Sequence, residues 1–352
     1  MKKIFFSLVA LTALAACSKS EVAYTENESI SFSPVAYNQT KAALDAGTVP
    51  TCSLIVSAFA GTGADQTSYL EPYFKNVEFT DANHDGDFEA SGYFWPNVKK
   101  LTFAGITKSA GFTEASSVSI YDASNTLEAD RDKFIIYNYL QPNVDVDHND
   151  LMWFDRTEPA GKTTDAIAVT MKHACSWIVL NFFGDATSGN STRPWKITNI
   201  TINSLSDKET ATLTESAVWS TTGAKNKNLV VYNDTQELNK ETKFTPSTNG
   251  IIVIPQTPTT LSITYNYVSQ FGSDNSAEAD DVVIEETATV KLNYDGNPED
   301  NSTWTAWKPG TKYTYDITIG AAAIKIAPKA GDWTVYDADG TAGDEDNIKI
   351  PR

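Results

Sequence analysis

Along this chain Thr, Val, Ile, Tyr and Phe gather into short runs, and Gly, Asn, Asp and Pro separate them. That spacing belongs to strands joined by turns. Residues 53–59, 133–137, 197–202, 250–255 and 261–267 each form such a run. In 197–202 and 261–267 apolar and polar positions alternate, as they must in a strand with one wet face. Ile30-Ser31-Phe32-Ser33-Pro34-Val35 alternates in the same way. Beyond the first residues, no segment keeps an apolar stripe at helical period over about 12 residues. The pattern predicts an all-β protein built as two stacked sandwiches.

The first residues follow a different rule. Lys2 and Lys3 precede an apolar run at positions 4–13, and Leu14-Ala15-Ala16 leads directly into Cys17. A basic start, a short apolar core and a small-residue exit are the requirements of an export signal. The run falls short of the ~20 residues that span a bilayer. A cysteine directly after Leu-Ala-Ala reads as a lipobox, so Cys17 is expected to become the lipidated first residue. The chain is then held at the outer membrane or cell surface of a Gram-negative-type cell by lipid and not by a helix. Residues 18–29 are polar and charged, a spacer between lipid and fold. Asn38-Gln39-Thr40-Lys41 offers a basic residue in a polar loop, and the turn-rich stretch 158–165 reads as a linker. The expected organisation is a signal at 1–16, a lipidated spacer and first strand at 17–41, and sandwiches at 42–162 and 163–352. The last of these ends in the alternating piece Asn347-Ile348-Lys349-Ile350.

Charge and candidate chemistry narrow the function. The formal net charge is −18, which argues against nucleic acid and anionic lipid headgroups as partners, since both call for a basic face. Apart from Cys17, the cysteines are Cys52 and Cys175, each inside an apolar run. The compartment permits a disulfide between them, but their wide separation favours two buried thiols. The histidines are His84, His148 and His173, and none stands in a Gly-x-Ser-x-Gly or His-Glu-x-x-His context. No catalytic residues and no cofactor are expected. Asp81-Ala82-Asn83-His84-Asp85-Gly86-Asp87 copies the first half of an EF-hand loop, which makes Asp81, Asn83 and Asp85 candidate ligands. Gly92 stands where the bidentate glutamate belongs, and a hairpin tip is the simpler reading. Eight tryptophans raise a second possibility, a stationary surface lipoprotein that stacks glycans. Trp95, Trp177, Trp307 and Trp333 fall at strand-like positions where core packing is the default. Trp153, Trp195, Trp219 and Trp304 are less constrained by the pattern.

Several islands, in order, resemble one family. Ile30-Ser31-Phe32 followed by Thr40-Lys41-Ala42 is similar to the first strand and processing site of fimbrillins, with lysine where arginine is usual. Gly92-Tyr93-Phe94-Trp95-Pro96 with Leu101-Thr102-Phe103 resembles the hairpin of their first domain, and Asp150-Leu151-Met152-Trp153 the strand that closes it. His173-Ala174-Cys175-Ser176 leading to Phe182 resembles the strand opening their second domain, with Cys175 in place of leucine. Trp307-Lys308-Pro309-Gly310 through Tyr313, Tyr315, Ile317 and Ile319, and then Ile326-Ala327-Pro328 to Asp332-Trp333, complete the series.

The resemblance implies a pilus subunit of two transthyretin-like β-sandwiches. Its precursor is lipid-anchored through Cys17 and then cut between Lys41 and Ala42, which removes the first strand. Other pilin subunits are the implied partners, along with outer-membrane lipid and host or bacterial surface ligands. The vacated groove takes a strand from the next subunit by β-augmentation. The tail holding Ile348 and Ile350 is the expected donor, because a spacing of two puts both on one strand face.

Overall fold

The computed structural model describes residues 28–34, 53–62, 68–108 apart from 84 and 98, 117–119, 134–144 and 150–184 apart from 158, 160 and 161. It further describes 195–270 apart from 214, 215, 241, 248 and 249, then 282–292, 306–320 and 324–332. The regular elements among these residues are all strands. The first ten are β1 (Ser29–Pro34), β2 (Ser53–Thr62), β3 (Ser68–Phe79), β4 (Phe88–Phe94), β5 (Leu101–Lys108), β6 (Ser117–Ser119), β7 (Phe134–Leu140), β8 (Met152–Thr157), β9 (Ile167–Val169) and β10 (Lys172–His173). The rest are β11 (Ser176–Gly184), β12 (Lys196–Leu205), β13 (Lys208–Leu213), β14 (Ala217–Trp219), β15 (Lys227–Tyr232), β16 (Gln236–Glu237), β17 (Ile251–Val253), β18 (Thr260–Gln270), β19 (Val282–Lys291), β20 (Thr311–Ile319) and β21 (Ile324–Asp332).

A three-stranded sheet, β4-β1-β9, packs on a five-stranded one, β10-β8-β5-β2-β3. Ile30, Phe32, Val56, Phe79, Phe88, Phe103, Phe154 and Val169 belong to the apolar core that they share. Both strands just after the turn-rich 158–165 stretch pair with strands before it: β9 with β1, and β10 with β8. A second pair of sheets, β17-β11-β20-β21 and β15-β12-β18-β19, encloses a larger core. Its inward positions are the alternating ones: Ile200 and Ile202 on β12, Leu261 and Ile263 on β18, Tyr313, Tyr315 and Ile317 on β20.

A fifth sheet, β14-β13-β7-β6, takes β7 from the first half of the chain and β13 and β14 from the second. It accompanies a third buried cluster, in which Phe59, Ala104, Ile106, Trp153, Ala174 and Cys175 from the first half meet Leu213, Trp219 and Ile254 from the second. The five-stranded sheet therefore has core on both faces, and β5 is buried from Leu101 to Thr107. Hydrogen bonds pin this junction. Gln141 receives the Ile254 N–H and donates to the Ile252 carbonyl, each at under 3 Å, and the Trp219 indole donates to the Ala174 carbonyl at 2.7 Å.

Candidate functional site

Strand β1 is short, yet it lies in the middle of its sheet. It runs parallel to β9, with Phe32 opposite Ile167, Ser33 opposite Ala168 and Pro34 opposite Val169. It runs antiparallel to β4, where Ser29 opposes Phe94 and Phe32 opposes Phe88. Between those two points the β4 ladder slips, with Gly92 in the bulged stretch at φ 86°. A bulge sacrifices ladder bonds, so side chains carry much of the attachment.

Those side chains are Ile30 and Phe32, both without solvent exposure. Full burial of each contributes about 1.5–3 kcal/mol. Phe32 sits among aromatic rings from the opposing sheet. Its centroid lies 5.0 Å from that of Phe79 and 5.2 Å from that of Phe103, both edge-to-face, and 5.9 Å from Phe154. Gly105 makes room for the third ring, since a Cβ there would stand 2.2 Å from a Phe154 ring carbon. The mouth of the slot is held by polar contacts. The Trp95 N–H donates to the Glu28 carbonyl at 2.9 Å, and Lys162 Nζ lies 3.4 Å from the Glu28 carboxylate. An exposed pair of that kind adds less than about 1 kcal/mol.

The model of the fimbrillin-like family matches residues 40–333. This chain belongs to the fimbrillin-like family. A second model, for prokaryotic membrane lipoprotein lipid attachment, matches residues 1–18. Among solved structures, a fimbrial protein from Bacteroides vulgatus has 15% sequence identity and a TM-score of 0.58, with 80% of this chain and 93% of that one covered. A candidate cell adhesion protein from Bacteroides uniformis has 17% identity and a TM-score of 0.50, covering 88% and 100%. At these identities the likeness is one of fold. No curated protein matches the chain.

In this fimbrillin-like chain, Cys17, Lys41, Ala42, Ile348 and Ile350 lie outside the described residues, as do Cys52, His84, His148, Trp304 and Trp333. The loop at Asp81 is described. Asp81 accepts the Asp85 and Gly86 N–H groups at 3.1 Å each, and Asp85 accepts from Asn83 and from the Asp87 N–H. Its carboxylates are thus engaged in closing the hairpin tip. Among the described residues no cluster of His, Cys, Asp and Glu is gathered for a metal ion.

Two features lay beyond the sequence pattern. The first is a buried polar pair at the junction, where His173 Nδ1 and Asp150 Oδ2 stand 2.5 Å apart. Burial pushes the Asp150 carboxyl above its usual range. The Cys175 thiol nearby is free, and burial together with the Asp150 charge pushes it well up, so it packs as a small apolar group. The second is the burial of Trp153, Trp195 and Trp219 alongside Trp95 and Trp307. Their rings fill cores; Trp195 stacks against Tyr267 with centroids 4.7 Å apart.

Proposed function

We propose that the protein is a pilus subunit that assembles by exchanging β1 for a strand of its neighbour. The precursor is lipidated on Cys17 and held at the outer membrane, and cleavage between Lys41 and Ala42 frees β1 from the body of the chain. The central seat of β1, between β4 and β9, is the observation that carries this. Loss of an edge strand would shorten a sheet. Loss of this strand opens a slot about 10 Å wide, twice the strand spacing, with bare backbone groups on both walls. Such edges demand a partner, so removal converts a closed monomer into an acceptor. The tail at Ile348 and Ile350 is the proposed donor. A second donor also has support: β21 repeats the order of β1, Ile324-Lys325-Ile326-Ala327-Pro328 against Ile30-Ser31-Phe32-Ser33-Pro34. Its Ile324, Ile326 and Pro328 are only half-buried at a sheet edge.

N-terminal sequencing of the surface form tests the proposal. A polymerising subunit begins at Ala42. A surface form that keeps a blocked Cys17 overturns the proposal and favours the stationary glycan-binding lipoprotein, although the buried tryptophans of this chain are committed to packing.

A further inference from the structure

We propose that the outer edge of β19 is a self-complementary docking surface, on which a second copy of this chain pairs β19 to β19, antiparallel, into one continuous sheet. The inference goes beyond strand exchange and uses neither the β1 slot nor the tail.

A strand at the edge of a sheet shows a row of unpaired N–H and C=O groups, and proteins blunt such edges with short strands, bulges, proline or lysine. Among the described residues, the other outer strands of this fold all carry one of these devices. β6, β9, β10, β14 and β17 run only two or three residues. β3 shifts register three times against β2 and holds Pro72 and Lys75, and β4 is bulged against β1. β15 shifts twice against β12, and β21 holds Lys325, Pro328 and Lys329. β19 has little of this protection. It runs ten residues, contains neither proline nor glycine, and keeps its single lysine, Lys291, for the last position. It pairs with β18 without a shift from Lys291 opposite Thr260 to Val283 opposite Val268. No other described strand pairs with it, and Val283 is 57% exposed.

The side chains of β19 specify the occupant. Ala288 and Val290 pack toward the core, while Glu285, Thr287, Thr289 and Lys291 are exposed on the outer face. Because the faces alternate, only residues of like parity can oppose one another across an antiparallel pair. A two-fold axis at Ala288 sets Lys291 opposite Glu285 of the second copy and Thr289 opposite its Thr287, each pair made twice. Moving the axis to Thr287 or Thr289 separates Lys291 from Glu285. Moving it to Glu285 or Glu286 sets like carboxylates against each other, which destabilises a sheet. On the inner face Glu286 stands opposite Val290. The Tyr265 and Tyr267 phenols donate to its carboxylate at 2.9 and 3.1 Å, so its charge is answered within its own chain. One strand edge buries little area, so the contact is weak between free chains and gains where many are concentrated on one surface.

The test therefore uses the full chain displayed on intact cells, and reads covalent dimers on non-reducing gels. Directly opposed residues bring their Cβ atoms close to disulfide range, and the compartment permits the bond. Ala288→Cys is expected to give a disulfide-linked dimer of this chain, above the background set by the unsubstituted protein with Cys52 and Cys175. A mixture of Thr287→Cys and Thr289→Cys chains should crosslink to each other, and neither variant should crosslink alone. Adding Lys291→Glu to Ala288→Cys should cut the dimer at least about five-fold, since both ion pairs become repulsive. Adding Glu285→Lys as well should restore it. Absence of dimer from both Ala288→Cys and the Thr287→Cys/Thr289→Cys mixture overturns the proposal, as does an adduct of Ala288→Cys with a different protein in place of a second copy. A dimer that ignores Lys291→Glu, or is not restored by the double reversal, overturns the register on which the self-pairing is argued.

Discussion

Strands β1 and β11 hold equivalent places in their two sandwiches. Each is the first strand of its sandwich, and each lies between an antiparallel neighbour and a later parallel one, β4 and β9 for β1, β17 and β20 for β11. They differ in how firmly they are held. β11 runs nine residues and pairs with β20 without interruption from Trp177 opposite Lys312 to Gly184 opposite Ile319. β1 runs six residues, matches β9 at three positions, and meets β4 across a bulge. One topology is thus joined by a long unbroken ladder in the second half and by a short, bulged one in the first. In β1 the side chains do most of the holding, and a side-chain key can be replaced by another of the same shape.

The largest expected effect comes from denying β1 a replacement. Ile348→Asp/Ile350→Asp would force two carboxylates into an apolar slot, where their desolvation outweighs any strand pairing. The double variant should fold, be cleaved normally and form no fibres by electron microscopy. Fibres of normal length would remove the tail from the donor role and leave β21 as the candidate.

A smaller effect separates the two strands directly. Phe32→Ala and Phe182→Ala each empty a fully buried position, one on β1 and one on β11, and each should cost about 3–5 kcal/mol in denaturant unfolding. After cleavage at residue 41 the two should diverge. The cost of Phe32→Ala should vanish from the stability of the body once β1 has left, whereas that of Phe182→Ala should persist. Equal behaviour before and after cleavage would mean that β1 is as permanent as β11.

The smallest effect lies in the second sandwich and leaves the first untouched. Burial and the Glu286 carboxylate push the Tyr265 phenol up to about 12. The phenol donates to that carboxylate at 2.9 Å. Unfolded tyrosine releases its proton near pH 10, so the folded state holds this proton longer than the unfolded one does. The stability it contributes is fully present below about pH 10 and is lost as the pH rises toward 12. A loss of order 1 kcal/mol is expected across that window by denaturant titration, and Tyr265→Phe should flatten it. An unaltered slope in Tyr265→Phe would assign the alkaline loss to other groups.

The parts of this architecture legible in the sequence are those written by local alternation. Ile30, Phe32 and Pro34 announce a strand with one buried face, and residues 197–202 and 261–267 do the same for β12 and β18. The aromatic wall around Phe32 was not legible, because its rings come from β3, β5 and β8, far apart along the chain. Thr102 is polar yet buried, because the fifth sheet covers the face of β5 that also carries Ala104 and Ile106, and Thr107 is buried on the opposite face, in register with Leu54. The hydroxyl of Thr107 accepts the Met152 N–H at 2.9 Å. Trp153 and Trp219 were ambiguous for the same reason, since no periodicity reveals a second layer contributed by the other half of the chain.

The β14-β13-β7-β6 sheet has a mechanical consequence. Two bodies joined by a single flexible segment form a hinge, and a filament made of such units would buckle at every joint. Here β7 and β13 are zipped from Phe134 opposite Leu213 to Leu140 opposite Lys208, and a dry cluster is shared across the seam. Bending at that seam would have to break ladder bonds and open apolar surface together. A thread of these units would resist bending within each subunit and yield first where one subunit meets the next.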